Sequence, residues 1–225
     1  MPLLKGPANV KPLVGSVDRY DPVEIACHWV TAVLVVILYL LAESWSFMHR
    51  GAPARLEMQS VHVSLGICLS IVLAVRIGWR LGPGRRLPPA DSGLAEIANK
   101  LMHYALYVLL VAAVGLGFCF RWSQHNPLSF FGLFAIPAPY AFSQSQALWI
   151  SDLHYWMATT IVILAGGHAV AALFHHFVLR DGVLRRMLLE RNYRRHLGVN
   201  RRRRPRSWAN QQSANYPAHT APDRR

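Results

Sequence analysis

The sequence predicts an all-α integral membrane protein, a bundle of four spanning helices, and three observations lead there. Of the 225 residues, 53% are hydrophobic and only 16% are charged, with a mean hydropathy of +0.22, a balance unlike that of soluble or disordered chains. The apolar residues gather into four stretches of the length that crosses the hydrocarbon of a bilayer. The net charge of +13 lies mostly outside them, because residues 180–225 hold thirteen arginines against Asp181, Glu190 and Asp223.

Residues 1–22 form an N-terminal segment with Lys5, Lys11 and Arg19, and no continuous apolar run of a secretory leader occurs in it. The spans are expected at Val23–Phe47, Val61–Leu81, Leu101–Phe120 and Leu153–Leu179. Met48–Ser60 and Gly82–Lys100 connect the first three. The longer Arg121–Asp152 places Pro127, Pro137 and Pro139 among aromatics, as suits a partly ordered cap at the membrane surface. The membrane domain is thus expected over 23–189, followed by a basic, disordered tail over 190–225. The tail's Arg201–Arg204 run and Trp208 suit anionic lipid headgroups, at about 1 kcal/mol per basic residue, better than nucleic acid. Cys27, Cys68 and Cys119 form neither CxxC nor CxxCH, which argues against a redox dithiol and against covalently attached haem.

Basic residues accumulate on the cytoplasmic side of membrane proteins. The N-terminal segment, the second connection with its flanking helix end, and the tail hold 21 of the 24 lysines and arginines. Arg50, Arg55 and Arg121 remain for the other face, so both termini are expected in the cytoplasm.

An ionisable side chain inside the bilayer is costly and marks a function by default. His28 begins the first span on the cytoplasmic side, while His62 and His154 begin the second and fourth on the outer side. His168 follows His154 by fourteen residues, a rise of about 21 Å that returns it to nearly the same helix face in the inner layer. Depth therefore pairs His62 with His154 and His28 with His168. Two imidazoles facing each other across a planar tetrapyrrole are what a six-coordinate electron-transfer haem needs, so two non-covalent b haems are expected. Gly66, Gly166, Gly167 and the alanines after His168 leave room for a macrocycle or for close helix approach. A lone membrane histidine is as readily a hydrogen-bonded packing residue, and His103, at the start of the third span, could take the place of His28. Zinc is disfavoured because the pairs bring no thiolate or carboxylate.

These segments resemble the bacterial di-haem cytochrome b561 family. The resemblance rests on Arg19-Tyr20-Asp21-Pro22 leading to His28-Trp29, on His62-Val63-Ser64-Leu65-Gly66 with Arg76 and Arg80, and on Leu106-Tyr107. The most specific stretch is His168 to His176 followed by Arg180-Asp181-Gly182-Val183-Leu184-Arg185-Arg186-Met187. It covers residues 17 to 189, and the outer loops are most similar to the superoxide oxidase branch.

That branch implies a bacterial inner-membrane enzyme. It oxidises superoxide to dioxygen at the outer face and sends the electrons across two haem b groups to ubiquinone near the cytoplasmic face. The family's ligands fall on His28, His62, His154 and His168, in agreement with the depth pairing, and its quinone-side histidine falls on His175. The connection Gly82–Ser92 is shorter than in that branch, which leaves Arg85 and Arg86 as candidates for its basic quinone contact. Lying seven residues beyond His168, His175 could offer a proton to a quinone carbonyl, or be one of two interfacial polar residues with His176. Arg50, Arg55 and Arg121 could steer an anion toward the outer haem. Two other functions use the same haems: an electron-transfer subunit docking a dehydrogenase, hydrogenase or periplasmic redox protein, and a metal-ion reductase running electrons outward.

Overall fold

The computed structural model describes residues 19–85, 87–88, 92–181 and 183–188. It consists of α1 (Pro22–Ser46), α2 (Pro53–Leu81), α3 (Leu94–Ser123), a β-hairpin of β1 (Leu128–Phe130) and β2 (Phe134–Ile136), and α4 (Gln144–Phe174). A π-helical turn, His175–Leu179, continues α4, and a short 3-10 turn spans Leu184–Met187. All four helices are long and apolar enough to cross a membrane. Arg86 and the tail from residue 189 lie outside the described residues.

Sequence chemistry sets each helix start. Asp21 caps α1 by accepting from the Glu24 amide at 3.0 Å, with Pro22 in the first turn. Pro53 opens α2, and Ser143 with Gln146 forms a reciprocal capping box at α4. Gly93, at φ +65°, turns the chain into α3 in a conformation that side chains rarely adopt. The helices begin earlier than hydropathy suggests, at Pro53 rather than Val61, Leu94 rather than Leu101 and Gln144 rather than Leu153. Hydropathy sees only the part that prefers hydrocarbon, whereas a capped helix runs on into the polar interface. His62 and His154 consequently sit several turns inside their helices rather than at the ends.

The chain packs α1 on α2 and α3 on α4, and the two hairpins meet around Leu73, Leu110, Ala113 and Ile161. Around this narrow core the outward faces stay apolar, with Val33 55%, Val108 66% and Ile163 67% exposed. Surfaces of that kind suit lipid rather than water, since only lipid leaves such side chains without a hydration cost.

The two ends of the bundle are finished differently. At one end the Asp21 carboxylate also accepts from Trp79 Nε1 at 2.9 Å and from the Arg85 amide at 3.2 Å. Burial opposes ionisation of Asp21, but the Glu24 amide, Trp79 and the other donors outweigh it and hold its pKa below the usual carboxylate range. Glu24, 3% exposed, pairs with Arg80 at 2.6 Å. The chain after α4 returns here: Trp29 Nε1 donates to Met187 O at 2.8 Å, and Arg186 Nη1 to Pro88 O at 2.9 Å.

At the other end the β-hairpin docks on α2. Leu128 and Ser64 are almost completely buried, and the Ser64 hydroxyl accepts from the Phe131 amide at 2.9 Å. Its own hydrogen is shared between Ser60 O at 3.0 Å and Ser129 O at 3.3 Å. Replacing Ser64 with Val leaves the Phe131 N–H unsatisfied, at a cost of roughly 1–3 kcal/mol. Amide hydrogen exchange should then accelerate over residues 128–136 while the four helices stay protected; unchanged protection of the hairpin would contradict this anchor.

Candidate functional site

Four histidines face one another in two layers. The rings of His62 on α2 and His154 on α4 have centroids 6.5 Å apart, near the hairpin end. Those of His28 on α1 and His168 on α4 are 6.4 Å apart, toward the end where α1 begins. The arrangement fits a metal between each pair. With metal–nitrogen bonds of about 2.0 Å and ring nitrogens about 1.1 Å from their centroids, two imidazoles on opposite sides of one metal would stand about 6.2 Å apart.

Hydrogen bonds further orient the His62–His154 pair, called outer for the side on which it is expected, as the other pair is called inner. His62 Nδ1 lies 3.1 Å from Leu38 O, and His154 Nδ1 lies 3.0 Å from Ala113 O. A carbonyl accepts only, so each Nδ1 carries the proton and each Nε2 keeps the lone pair that a metal takes. These carbonyls sit one helix over, on α1 and α3, so all four helices build the outer layer. Trp45 covers His62 edge-on at 5.0 Å.

The inner layer is more crowded. His103 on α3 lies 5.1 Å from His168, with its Nδ1 2.7 Å from Asn99 O. That bond gives His103 a tautomer suited to ligation, but 5.1 Å is too close for a metal between the rings, and the spacing supports His28 as the partner. Beside His28 stands Arg76, 9% exposed, whose Nη2 donates to His28 Nδ1 at 2.9 Å. Around both layers the backbone leaves space: a Cβ placed on Gly66, Gly166 or Gly167 would meet nothing within 4 Å. The donor set, spacing and open glycine surfaces fit haem. Each pair offers two imidazoles with no thiolate or carboxylate, a donor set that suits haem rather than a tetrahedral ion.

His175 follows α4 with helical backbone angles and its N–H still on Ala171 O, and it opens the π-helical turn. Arg180 takes a left-handed conformation, φ +55°, and turns the chain so that the Asp181 carboxylate accepts from His175 Nδ1. Burial opposes the Asp181 charge, but the His175 hydrogen bond and the Val183 amide outweigh it and hold the pKa below the usual carboxylate range. An opening of about 270 Å³ beside this turn is lined by His176, Phe177, Arg180 and Arg185. Arg85 is exposed at the same end of the bundle.

At the hairpin end Arg55 Nη1 donates to Trp45 O and Met48 O, each at 2.8 Å, and fastens the first connection. Arg121, in the last turn of α3, has a buried Nε without a hydrogen-bond partner. Sequence reading missed the roles of Arg76, Asp181 and Gly117. A charged residue inside a span and an aspartate six residues after a histidine were the available signals.

The family model described as prokaryotic cytochrome b561 matches residues 19–190. Cytochrome b561 homolog 2 of Escherichia coli (strain K12) is 33% identical over 181 residues, covering 76% of this chain and 92% of that protein. Cytochrome b561 homolog 1 of the same organism is 30% identical over 176 residues, covering 77% and 99%. A protein of Yersinia pestis named a probable superoxide oxidase is 30% identical over 172 residues, covering 76% and 96%.

Two outcomes check this site. A Cβ on Gly117 would lie 3.0 Å from His154 Cε1, and the ring, tied to Ala113 O, has little freedom to yield. Gly117→Val should therefore displace His154 and lower the haem content, measured as pyridine haemochrome, while helix content by circular dichroism holds. Substituting Ala for His28 or His168 should remove one haem, and for His62 or His154 the other; full haem retention in any variant would strike that residue from the ligands.

Proposed function

The chain belongs to the prokaryotic cytochrome b561 family of haem b electron-transfer membrane proteins, and on that premise we propose that it is a superoxide:ubiquinone oxidoreductase of the bacterial inner membrane. In this reading the hairpin end faces outward and the end with Asp21 faces the cytoplasm, in line with the distribution of basic residues. The observation that carries it is the ladder of two histidine pairs, at 6.5 and 6.4 Å, one toward each end of the bundle. The likeness to a relative named a probable superoxide oxidase supports the donor.

His62 and His154 would hold one haem and His28 and His168 the other. When bound, haem b supplies a reversible one-electron couple inside the hydrocarbon. The protein's own residues do the rest. Backbone carbonyls of Leu38 and Ala113 fix the outer imidazoles, so that they need not reorient when charge changes. Arg121, with its unpartnered Nε, attracts the superoxide anion at the hairpin end.

Two superoxide ions become two dioxygen molecules and release two electrons, and ubiquinone takes those electrons with two protons to become the quinol. His175 offers one of the protons. Its Nδ1 is held by Asp181, which leaves Nε2–H of the imidazolium to protonate a quinone oxygen. Arg85, exposed at that end, and Arg86, outside the described residues, stand as the basic candidates for quinone contact; ubiquinone and superoxide are the two small-molecule partners. Anionic lipid is the proposed partner of the basic tail, which lies outside the described residues, and no nucleic acid partner is proposed.

A second reading, an electron-transfer subunit served by a separate redox protein, draws support from the hairpin's exposed apolar side chains, Leu133 at 78% and Phe131 at 51%. The two readings part in one experiment. Purified protein given superoxide and a soluble ubiquinone, with no second protein, should show haem reduction and then re-oxidation by absorbance; no reduction by superoxide would favour the subunit. In the same assay His175→Ala should keep both haems and their reduction by superoxide. Its re-oxidation by quinone should slow by about a hundredfold, the usual scale of a lost general acid. Asp181→Asn should slow the same step less. A His175→Ala protein that reduces quinone at the unmodified rate would remove His175 from the site.

A further inference from the structure

Arg76 is hard to explain as packing. It lies within a membrane-spanning helix and is only 9% exposed, where an unpaired guanidinium is costly. Among the described residues it has no carboxylate partner. Glu24 is engaged by Arg80, and Asp21 by Trp79 and the amides of Glu24 and Arg85. Arg76 Nε is buried without a hydrogen bond, and the guanidinium rests on the Tyr107 ring, 5.0 Å from its centroid.

Among the described residues, the one hydrogen bond that Arg76 makes is to His28 Nδ1. A guanidinium only donates, so that nitrogen must accept, and the neutral ring then carries its proton on Nε2. Ligation through Nε2 needs the opposite tautomer, with the proton on Nδ1, as at His62 and His154. An Nδ1–H facing a guanidinium N–H sets two donors against each other. Ligation through Nε2 therefore leaves Arg76 in need of another acceptor, and the carboxylates of Glu24, Asp21 and Glu96 at this end of the bundle are already engaged. Haem brings its own, because its two propionates are carboxylates and enter with the macrocycle.

We propose that Arg76 is the anchor of a propionate carboxylate of the inner haem. A charge-assisted bond of this kind satisfies the orphaned Nε, neutralises the buried cation and frees His28 Nδ1 to carry a proton. Tyr107 holds the guanidinium from its other side. Arg76 is thus a cofactor-positioning residue rather than a participant in electron transfer.

The inference rests on His28 and His168 as inner ligands, and the test separates the two. Full-length protein carrying His62→Ala retains the inner haem alone, and growth on carboxyl-labelled 5-aminolevulinate marks its propionates for redox-difference infrared spectroscopy. One labelled carboxylate band should shift when Arg76→Gln is added. Transfer of the inner haem to apomyoglobin should become faster by about tenfold or more, on the scale of one lost charged hydrogen bond. Arg76→Lys should fall between, because lysine keeps the charge without the planar fork. An unshifted band and an unchanged transfer rate, with His28→Ala losing one haem, would overturn the anchor alone. His28→Ala retaining both haems would overturn the ligand assignment and the anchor together. Should Arg76→Gln not accumulate, Arg76→Lys and the Arg76-containing protein decide: two labelled carboxylates at the frequency of hydrated carboxylate would overturn the proposal.

Discussion

A polar group inside hydrocarbon must find its partner within the protein, and the rest of this structure follows from that constraint. It makes the spans helical, since only a helix satisfies its backbone within one segment. It also decides how imidazoles can be carried there. His62, His154 and His103 each place Nδ1 against a main-chain oxygen. One ring nitrogen of each is thereby satisfied by the protein. At His62 and His154, the proposed ligands, the other keeps the lone pair that a metal takes, and the orientation costs little further entropy.

The same constraint separates the inner layer from the outer. The outer pair is completed by carbonyls from the other two helices, while the inner pair is completed by a cation. Arg76 supplies a donor where His28 needs an acceptor, and its own Nε is left unsatisfied. The propionate anchor proposed for Arg76 would relieve that imbalance.

At the two ends the finishing differs because the tasks proposed for them differ. A hairpin sealed through Ser64 and Leu128 caps one end near His62. At the other, the chain after α4 unwinds into a wide turn and returns across α1 and the α2–α3 connection. That return sets Asp181 on His175 and keeps a titratable pair where water meets the bundle. Proton exchange needs such contact with water, whereas electron carriers need its exclusion.

Much of this was legible in the order of residues. The four spans, their apolar outer faces and the two histidine depths follow from hydropathy and from the rise per helical residue, both of which are local quantities. The sequence by itself determined which histidines share a level along the bundle. It did not determine which nitrogen meets which carbonyl, because that depends on how each helix is rotated about its axis and on where the chain returns after α4. The tertiary structure alone decided that Leu38 and Ala113 orient the outer imidazoles, that Arg76 reaches His28, and that Asp181 reaches His175. The first three contacts join different helices, and the last depends on a π-helical turn and a left-handed Arg180 that no periodicity announces.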